Sequence, residues 1–191
     1  MIPDVFSFTH CDGKSAVGTR AEDDSDLLLV VRDEDCDCIA ETLTARWDNA
    51  GGTLADRFDT LFSQMIGEKS IAALALAGKK AAWRCIGDMK LLRFRNGEAL
   101  PLSQRRESDI IQGDAFLLCT GNAAALLREE EIRIDLLKAE NARSWAELLL
   151  LRIMERLPAQ PEGMSLITIS TRASVTLDPI RERDARSNPR A

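Results

Sequence analysis

Carboxylate side chains concentrate in two short segments of this chain, residues 22–26 and residues 33–37. The first reads Glu-Asp-Asp-Ser-Asp, the second reads Asp-Glu-Asp-Cys-Asp, and an apolar run, residues 27–31, separates them. Oxygen ligands from several acidic side chains are what Mg²⁺ and Mn²⁺ require in proteins. The acidic cluster is therefore the candidate metal site of this sequence, and the alternative is a rim of solvated loops, which charge runs usually form.

Other catalytic chemistries find little support in the sequence. His10 is the single histidine, and no nucleophile motif accompanies it, so a Ser-His-Asp or Cys-His arrangement is not indicated. Cys36 and Cys38 lack a second cysteine pair that would complete a zinc site. The odd count of five cysteines, with no signal-peptide pattern at the N-terminus, predicts reduced thiols and a cytoplasmic location.

The composition limits the classes of partner. With 191 residues, of which 45% are hydrophobic, the chain can bury a sizeable core. A net charge of -6 argues against a nucleic-acid partner, and no apolar run approaches the roughly 20 residues that span a membrane. We expect one domain over residues 1–177 and a flexible C-terminal tail over residues 178–191.

Hydrophobic periodicity predicts the elements that would position the acidic cluster. The apolar run at residues 27–31 indicates a strand buried on both faces, and Thr53 with Asp56 resembles an N-terminal helix cap. Residues 103–112 are polar and are predicted to be a loop. The predicted strands cover residues 5–9, a return strand at 15–20, and residues 27–31, 115–120 and 165–170; the predicted helices cover residues 39–47, 54–65, 128–138 and 144–157.

Between these elements, residues 70–102 contain three short apolar runs separated by turn signals. Asn96-Gly97 is the strongest of these signals, because both residues of a tight hairpin turn adopt positive φ. The whole stretch is predicted to be an antiparallel meander. Asp88 and Asp114 each follow a glycine, and we expect both to organise turns rather than to take part in chemistry.

The Gly87-Asp88 pair between two strands, followed by a hairpin, resembles the Gly-Asp-Ser-Arg strand of a family of metal-dependent Ser/Thr protein phosphatases, the PPM-type or type 2C family. The order of the other elements is similar to that family over roughly residues 5–169. The chain is therefore identified as a short and divergent member. The resemblance implies an α+β fold, a four-layer α-β-β-α sandwich of two mainly antiparallel sheets flanked by antiparallel helix pairs.

The resemblance also implies roles for residues near the acidic cluster. Glu22 and Asp33 would be metal ligands, Glu22, Asp23 and Asp33 would form the catalytic set, and Arg20 would bind the phosphate. The cofactor would be a pair of Mn²⁺ or Mg²⁺ ions that hold the attacking water. For Arg20, the alternative is an ordinary surface arginine.

The sequence departs from the family at the other ligand positions. Glu34 replaces a family glycine, and Gly121-Asn122 stands where the family has Asp-Gly. Gly163-Met164 stands where the family has Asp-Asn. Two of the four expected carboxylates are thus absent, and two carboxylates would leave the charge of two divalent ions largely uncompensated.

The favoured hypothesis is a type 2C-like domain with an incomplete metal site. It would be catalytically weak or inactive, need no cofactor, and act as a regulatory or binding protein in phosphorylation-dependent signalling, with a protein or phosphoprotein as its partner. The alternative is an active Mn- or Mg-dependent Ser/Thr protein phosphatase in which Asp35 or Asp37 supplies further ligands. A third hypothesis is a structural subunit without phosphate chemistry.

Overall fold

The structure of this chain is a computed structural model. It describes residues 3–10, 14–21, 25–63, 69–102, 106–157 and 163–171. Glu22 and Asp23, and the predicted tail over residues 178–191, lie outside the described residues. Among the helices that are described, none has the length and hydrophobicity needed to cross a membrane.

Along the described residues, groups of strands alternate with groups of helices. The strands are β1 (Asp4–His10), β2 (Ser15–Ala21), β3 (Asp26–Arg32), β4 (Ser70–Ala77), β5 (Lys80–Ile86), β6 (Met89–Arg95), β7 (Glu98–Pro101), β8 (Arg106–Asp109), β9 (Ala115–Thr120) and β10 (Met164–Ser170). The helices are α1 (Cys36–Asn49), α2 (Leu54–Phe62), α3 (Gly121–Ala125), α4 (Glu129–Lys138) and α5 (Ala142–Glu155).

The strands form two sheets in which neighbouring strands pair antiparallel. Sheet I has the strand order β1-β10-β9-β6-β7, and sheet II has the order β2-β3-β4-β5-β8. Because β3 pairs with both β2 and β4, it lies inside sheet II, and β9 lies inside sheet I in the same way.

Three hydrophobic cores hold four layers together. The inner core fills the space between the sheets and includes Phe116 and Trp83. Helices α4 and α5 cover the outer face of sheet I, where Trp145 meets Phe94 edge to face at 5.6 Å. Helices α1 and α2 cover the outer face of sheet II, with Trp47 at the centre of that core. The predicted four-layer α-β-β-α sandwich is confirmed.

Three local predictions are confirmed. The five apolar residues of β3 are buried, alternating between the inner core and the α1–α2 core. Thr53 and Asp56 form a capping box at the start of α2. Asn96 and Gly97 both have positive φ, 53° and 82°, and connect β6 to β7 as a hairpin.

Two predicted strand pairings are wrong. Strand β2 is not the return partner of β1, because β1 pairs with β10 in sheet I and β2 pairs with β3 in sheet II. Residues 70–102 are not one meander. Strands β4 and β5 form a hairpin in sheet II, and the chain then crosses at Gly87-Asp88 to form β6 and β7 in sheet I. Hydrophobic periodicity predicts that a segment is a strand but does not identify its partner, so it could not assign a strand to a sheet.

Other differences concern single elements. The predicted loop at residues 103–112 contains β8, an edge strand whose polar sequence carries no hydrophobic alternation. Helix α5 begins at Ala142, two residues before the predicted start, with Asn141 as its N-cap. The short helix α3 was not predicted. Helix α2 ends at Phe62, and Met65 lies outside the described residues.

Candidate functional site

Asp33 lies directly after β3, in the turn that leads into α1. Its backbone N–H donates to the Lys14 carbonyl at 3.2 Å, and its Oδ1 accepts from the Asp35 N–H at 3.2 Å. Its other oxygen, Oδ2, lies 3.4 Å from Lys69 Nζ. Both oxygens of the Asp33 carboxylate therefore have partners within the chain.

Asp88 lies at the crossing from β5 to β6. Its backbone N–H donates to Ser70 Oγ at 3.1 Å, which fixes the crossing against the start of β4. Gly87 has a φ of 68°, and a Cβ there would lie 2.4 Å from Ser70 Oγ, so the crossing requires glycine. The Asp88 carboxylate accepts from Arg32 Nη1 at 2.6 Å. This ion pair joins the crossing to the end of β3.

Gly121 packs against the same carboxylate. Its backbone N–H donates to the Asp88 carbonyl at 3.0 Å. A Cβ on Gly121 would lie 1.8 Å from Asp88 Oδ1, well inside van der Waals contact. The family resemblance places an aspartate at position 121, and the Asp88 carboxylate fills the space that its side chain would need.

Six residues form one group at the end of the sheets where β3 and β9 end and β4 and β6 begin. We call this end of the sheets the mouth, and the group the mouth cluster: Arg32, Asp33, Lys69, Ser70, Asp88 and Gly121. Neutral hydroxyl groups lie at the same end of the neighbouring strands. Ser165 Oγ shares hydrogen bonds with Ser15 Oγ at 2.9 Å and with Thr9 Oγ1 at 3.1 Å. The described part of the mouth thus carries charge mainly as carboxylate–cation pairs.

The resemblance implies a pair of divalent ions at this mouth, and the described residues do not fit such a pair. Among them, no group of three His, Cys, Asp or Glu side chains lies close enough together to hold a metal ion. Asp33 and Asp88 each contact a cationic side chain of the chain itself. Two divalent ions need several uncompensated carboxylates, because the ions are the largest charges in such a site.

Arg20, the predicted phosphate-binding residue, lies away from the mouth cluster. It pairs in the sheet with Leu27, near the start of β3, and donates to Asp48 Oδ1 at 2.7 Å. At about 3.3 Å per residue, Leu27 and Asp33 are roughly 20 Å apart along the strand. Arg20 and Asp33 are therefore at opposite ends of the β2–β3 hairpin.

The residues that flank the acidic segment lie at the Arg20 end. Ala21 pairs with Asp26, and Glu22 and Asp23 lie between them in sequence but outside the described residues. Burial raises the pKa of Asp26. The assignment of Glu22 and Asp23 to the site stays a prediction.

A buried arginine fixes this end of β3. The Arg57 side chain donates to Ser25 Oγ at 2.8 Å and to the Trp47 carbonyl at 3.1 Å. Its guanidinium also lies 4.2 Å from the centre of the Trp47 ring, a cation–π distance. Helix α2 thereby positions Ser25, which lies within the first acidic segment.

The sequence did not point to the cationic members of the mouth cluster. Arg32 adjoins Asp33 in sequence, but its partner is Asp88, 56 residues away. Lys69 is 36 residues from Asp33. No local pattern marks contacts between residues so far apart, so both pairings became visible only in the tertiary structure.

Known structures share this arrangement of sheets and helices. The serine/threonine phosphatase of S. agalactiae superposes with a TM-score of 0.73 and 11% identity, covering 88% of this chain and 99% of that chain. The catalytic domain of the phosphatase PstP, solved in complex with two manganese ions, gives a TM-score of 0.65 and 14% identity over 88% of this chain and 99% of that chain. This chain has the fold of the type 2C Ser/Thr phosphatases. The predicted resemblance is therefore confirmed at the level of the fold.

A protein with a regulatory description shares the type 2C fold as well. PppA, described as a key regulatory component of T6SS in Pseudomonas aeruginosa, gives a TM-score of 0.65 and 15% identity, covering 89% of this chain and 98% of that chain. No protein-family model and no curated protein matches this sequence. At these identities the likeness establishes the fold and assigns no role to any residue.

Proposed function

We propose that this chain is a divergent PPM-type domain that acts as a regulatory, protein-binding module in phosphorylation-dependent signalling in the cytoplasm, with little or no phosphatase turnover. The observation that carries this proposal is the mouth cluster, where both carboxylates contact cations of the chain itself. In this proposal a phosphorylated partner would bind at the loops that the two sheets hold in place, since binding residues lie disproportionately on loops positioned by a rigid scaffold.

The chemistry of the mouth supports low turnover. In metal-dependent phosphate hydrolysis, a metal pair polarises the phosphate and activates the attacking water. In this chain, Asp33 directs one oxygen to Lys69 and the other to a backbone N–H, and Asp88 directs one oxygen to Arg32. Each carboxylate thus already has a cation of the chain beside it, which reduces the negative charge available to a pair of divalent ions.

A protein or phosphoprotein partner is the second part of the proposal. The type 2C fold includes a protein described as a regulatory component, PppA, so the fold is compatible with regulation. A domain that binds a phosphorylated partner without hydrolysing it would keep that partner modified.

The alternative is an active Mn- or Mg-dependent Ser/Thr phosphatase. What favours it is the extent of the fold likeness, since this chain covers 99% of a catalytic domain solved with two manganese ions. In that case Asp33 would be a metal ligand, with Glu22 and Asp23 as the other predicted members of the catalytic set, whereas Arg20, at the opposite end of the β2–β3 hairpin, would not reach a phosphate bound at Asp33.

Hydrolysis of an aryl phosphate and of phosphoserine and phosphothreonine peptides, with added Mn²⁺ or Mg²⁺, separates the two functions. We expect the wild-type protein to show no more turnover than an Asp33→Asn variant, with the PstP catalytic domain as the active control. Turnover that requires Mn²⁺ and disappears in Asp33→Asn would establish the alternative.

A further inference from the structure

The mouth cluster contains two carboxylate–cation pairs. Arg32 Nη1 lies 2.6 Å from Asp88 Oδ2, and Lys69 Nζ lies 3.4 Å from Asp33 Oδ2. Three of these four side chains, Arg32, Lys69 and Asp33, are less than a third exposed. Each carboxylate of the cluster thus has a monovalent counter-charge supplied by the chain.

The two pairs also join separate segments at this end of the sheets. Arg32 ends β3 in sheet II, and Asp88 begins the crossing into sheet I, so their ion pair joins the two sheets. Lys69 precedes β4, and its contact with Asp33 joins the start of that strand to the turn after β3. The strand ends at the mouth are therefore held by side chains.

The Asp88 carboxylate, whose side chain is 64% exposed, occupies the Cβ position of residue 121. One Asp88 oxygen faces Arg32, and the other lies where a Cβ on residue 121 would be, at 1.8 Å. With glycine at position 121, the carboxylate and the guanidinium fit together. The glycine and the ion pair thus belong to one packing arrangement.

We propose that Arg32 and Lys69 are built-in counter-cations that replace divalent ions in this domain. A divalent ion added to two neutralised carboxylates would bring two uncompensated positive charges next to an arginine and a lysine, which electrostatics strongly disfavours. The mouth therefore holds its shape without metal and excludes metal. This role of Arg32 and Lys69 rests on the proposed function, because it requires that the wild-type domain holds no catalytic metal pair.

The test removes the counter-cations and asks whether the site then accepts an ion. The variant is the double substitution Arg32→Met with Lys69→Met, which leaves both carboxylates in place. The matched control is Arg143→Met with Lys80→Met, which removes two exposed ion pairs elsewhere, Arg143–Glu147 at 2.9 Å and Lys80–Glu107 at 2.7 Å. Thermal unfolding and titration calorimetry are measured in EDTA and in millimolar Mn²⁺.

We expect the wild-type and control proteins to unfold at the same temperature in EDTA and in Mn²⁺, with no heat of binding. With Asp33 and Asp88 left without counter-charges, the double variant should bind one Mn²⁺ ion, and its unfolding temperature should rise by about 5 °C or more once Mn²⁺ exceeds its dissociation constant by about 100-fold. Because both wild-type pairs are partly exposed, the double variant should remain folded.

Two results would overturn the proposal that Arg32 and Lys69 replace divalent ions. One is a wild-type protein that binds Mn²⁺ or loses stability in EDTA. The other is a double variant that is as insensitive to Mn²⁺ as the control. If the double variant does not fold, Lys69→Met alone, which keeps the Arg32–Asp88 pair, is measured in the same way and decided by the same criteria.

The outcome is separable from that of the proposed function. Metal-dependent turnover by the wild-type protein would contradict the proposed function. An inactive wild-type protein together with a double variant that ignores Mn²⁺ would contradict only the role of Arg32 and Lys69.

Discussion

At the scale of single residues, Gly121 is a position at which the mouth cluster differs from the phosphatase pattern. The resemblance to the phosphatases draws attention to the carboxylate missing there, but the structure shows that a neighbour occupies its space. The Asp88 carboxylate fills that volume and accepts a hydrogen bond from Arg32. Restoring an aspartate at position 121 alone would therefore collide with Asp88 rather than rebuild a metal site.

Gly121→Ala tests this packing directly. The added Cβ must displace the Asp88 carboxylate from Arg32, and because the Asp88 side chain is 64% exposed and can move, we expect a loss of about 1 kcal/mol or less, the usual size of a partly exposed ion pair. Urea unfolding measures the change. Gly51→Ala is the control, because a Cβ there has nothing within 4 Å, and replacing such a glycine is expected to be neutral or to stabilise by about 0.4–1 kcal/mol.

A double-mutant cycle identifies the cause of the loss. In an Asp88→Ala background, Gly121→Ala should lose most of its cost, because the side chain that it strikes is gone. An equal cost in both backgrounds would show that the contact with Asp88 is not responsible.

At the scale of elements, ion pairs align helices α4 and α5 over sheet I. Arg156 donates to both oxygens of Glu131, at 2.7 Å and 2.6 Å. Arg152 in the same way donates to both oxygens of the buried Asp135. The pairs join residues near opposite ends of the two helices, so they fix the antiparallel alignment of α4 against α5.

The Glu131 pair predicts a pH dependence of stability. Hydrogen bonding from Arg156 lowers the pKa of Glu131 from 4.5 to about 2. Since the folded pKa lies below the unfolded value, the unfolded state binds more protons between these two values, and stability rises with pH there. The contribution is complete above about pH 4.5 and is lost as the pH falls to about 2.

Glu131→Gln should flatten this part of the pH profile, measured as the free energy of unfolding between those two pH values. Glu147→Gln, in an exposed pair with Arg143, is the control and should leave the slope as in the wild-type protein. A Glu131→Gln profile as steep as that of the wild-type protein would assign the acid sensitivity to other carboxylates.

At the scale of the whole molecule, a buried aspartate clamps the two sheets at the end opposite the mouth cluster. Asp114 is fully buried and accepts from Arg95 at 2.8 Å and 2.7 Å and from Arg93 at 3.1 Å, both on β6 in sheet I. The same arginines donate to the Asp109 carbonyl on β8 in sheet II. Asp114 also accepts from the Ile111 N–H at 3.0 Å, so it organises the turn as predicted.

Asp114→Asn should therefore destabilise the entire sandwich. Removing one charge of a buried pair leaves its partners uncompensated and typically costs about 3–5 kcal/mol. Asp48→Asn makes the same chemical change in the exposed Arg20–Asp48 pair and should cost less than about 1 kcal/mol. Urea unfolding compares the two variants, and equal losses would contradict the role of Asp114 as a clamp between the sheets.

Local sequence determined those features whose cause lies within a few neighbouring residues. The capping box of Thr53 and Asp56, the Asn96-Gly97 hairpin and the buried strand at residues 27–31 are of this kind. Together with the order of elements, they predicted sheets covered by pairs of helices, and the resemblance to the type 2C family implied the four-layer sandwich.

Only the tertiary structure decided which strands share a sheet and which charges meet. The assignment of β1 and β2 to different sheets, the pairing of Lys69 with Asp33, and the placing of Asp88 beside Gly121 all join residues far apart in sequence. Such contacts depend on the packing of the whole chain, and the same local pattern is compatible with several of them. The sequence alone therefore revealed the missing carboxylates, and the folded chain revealed the cations beside those that remain.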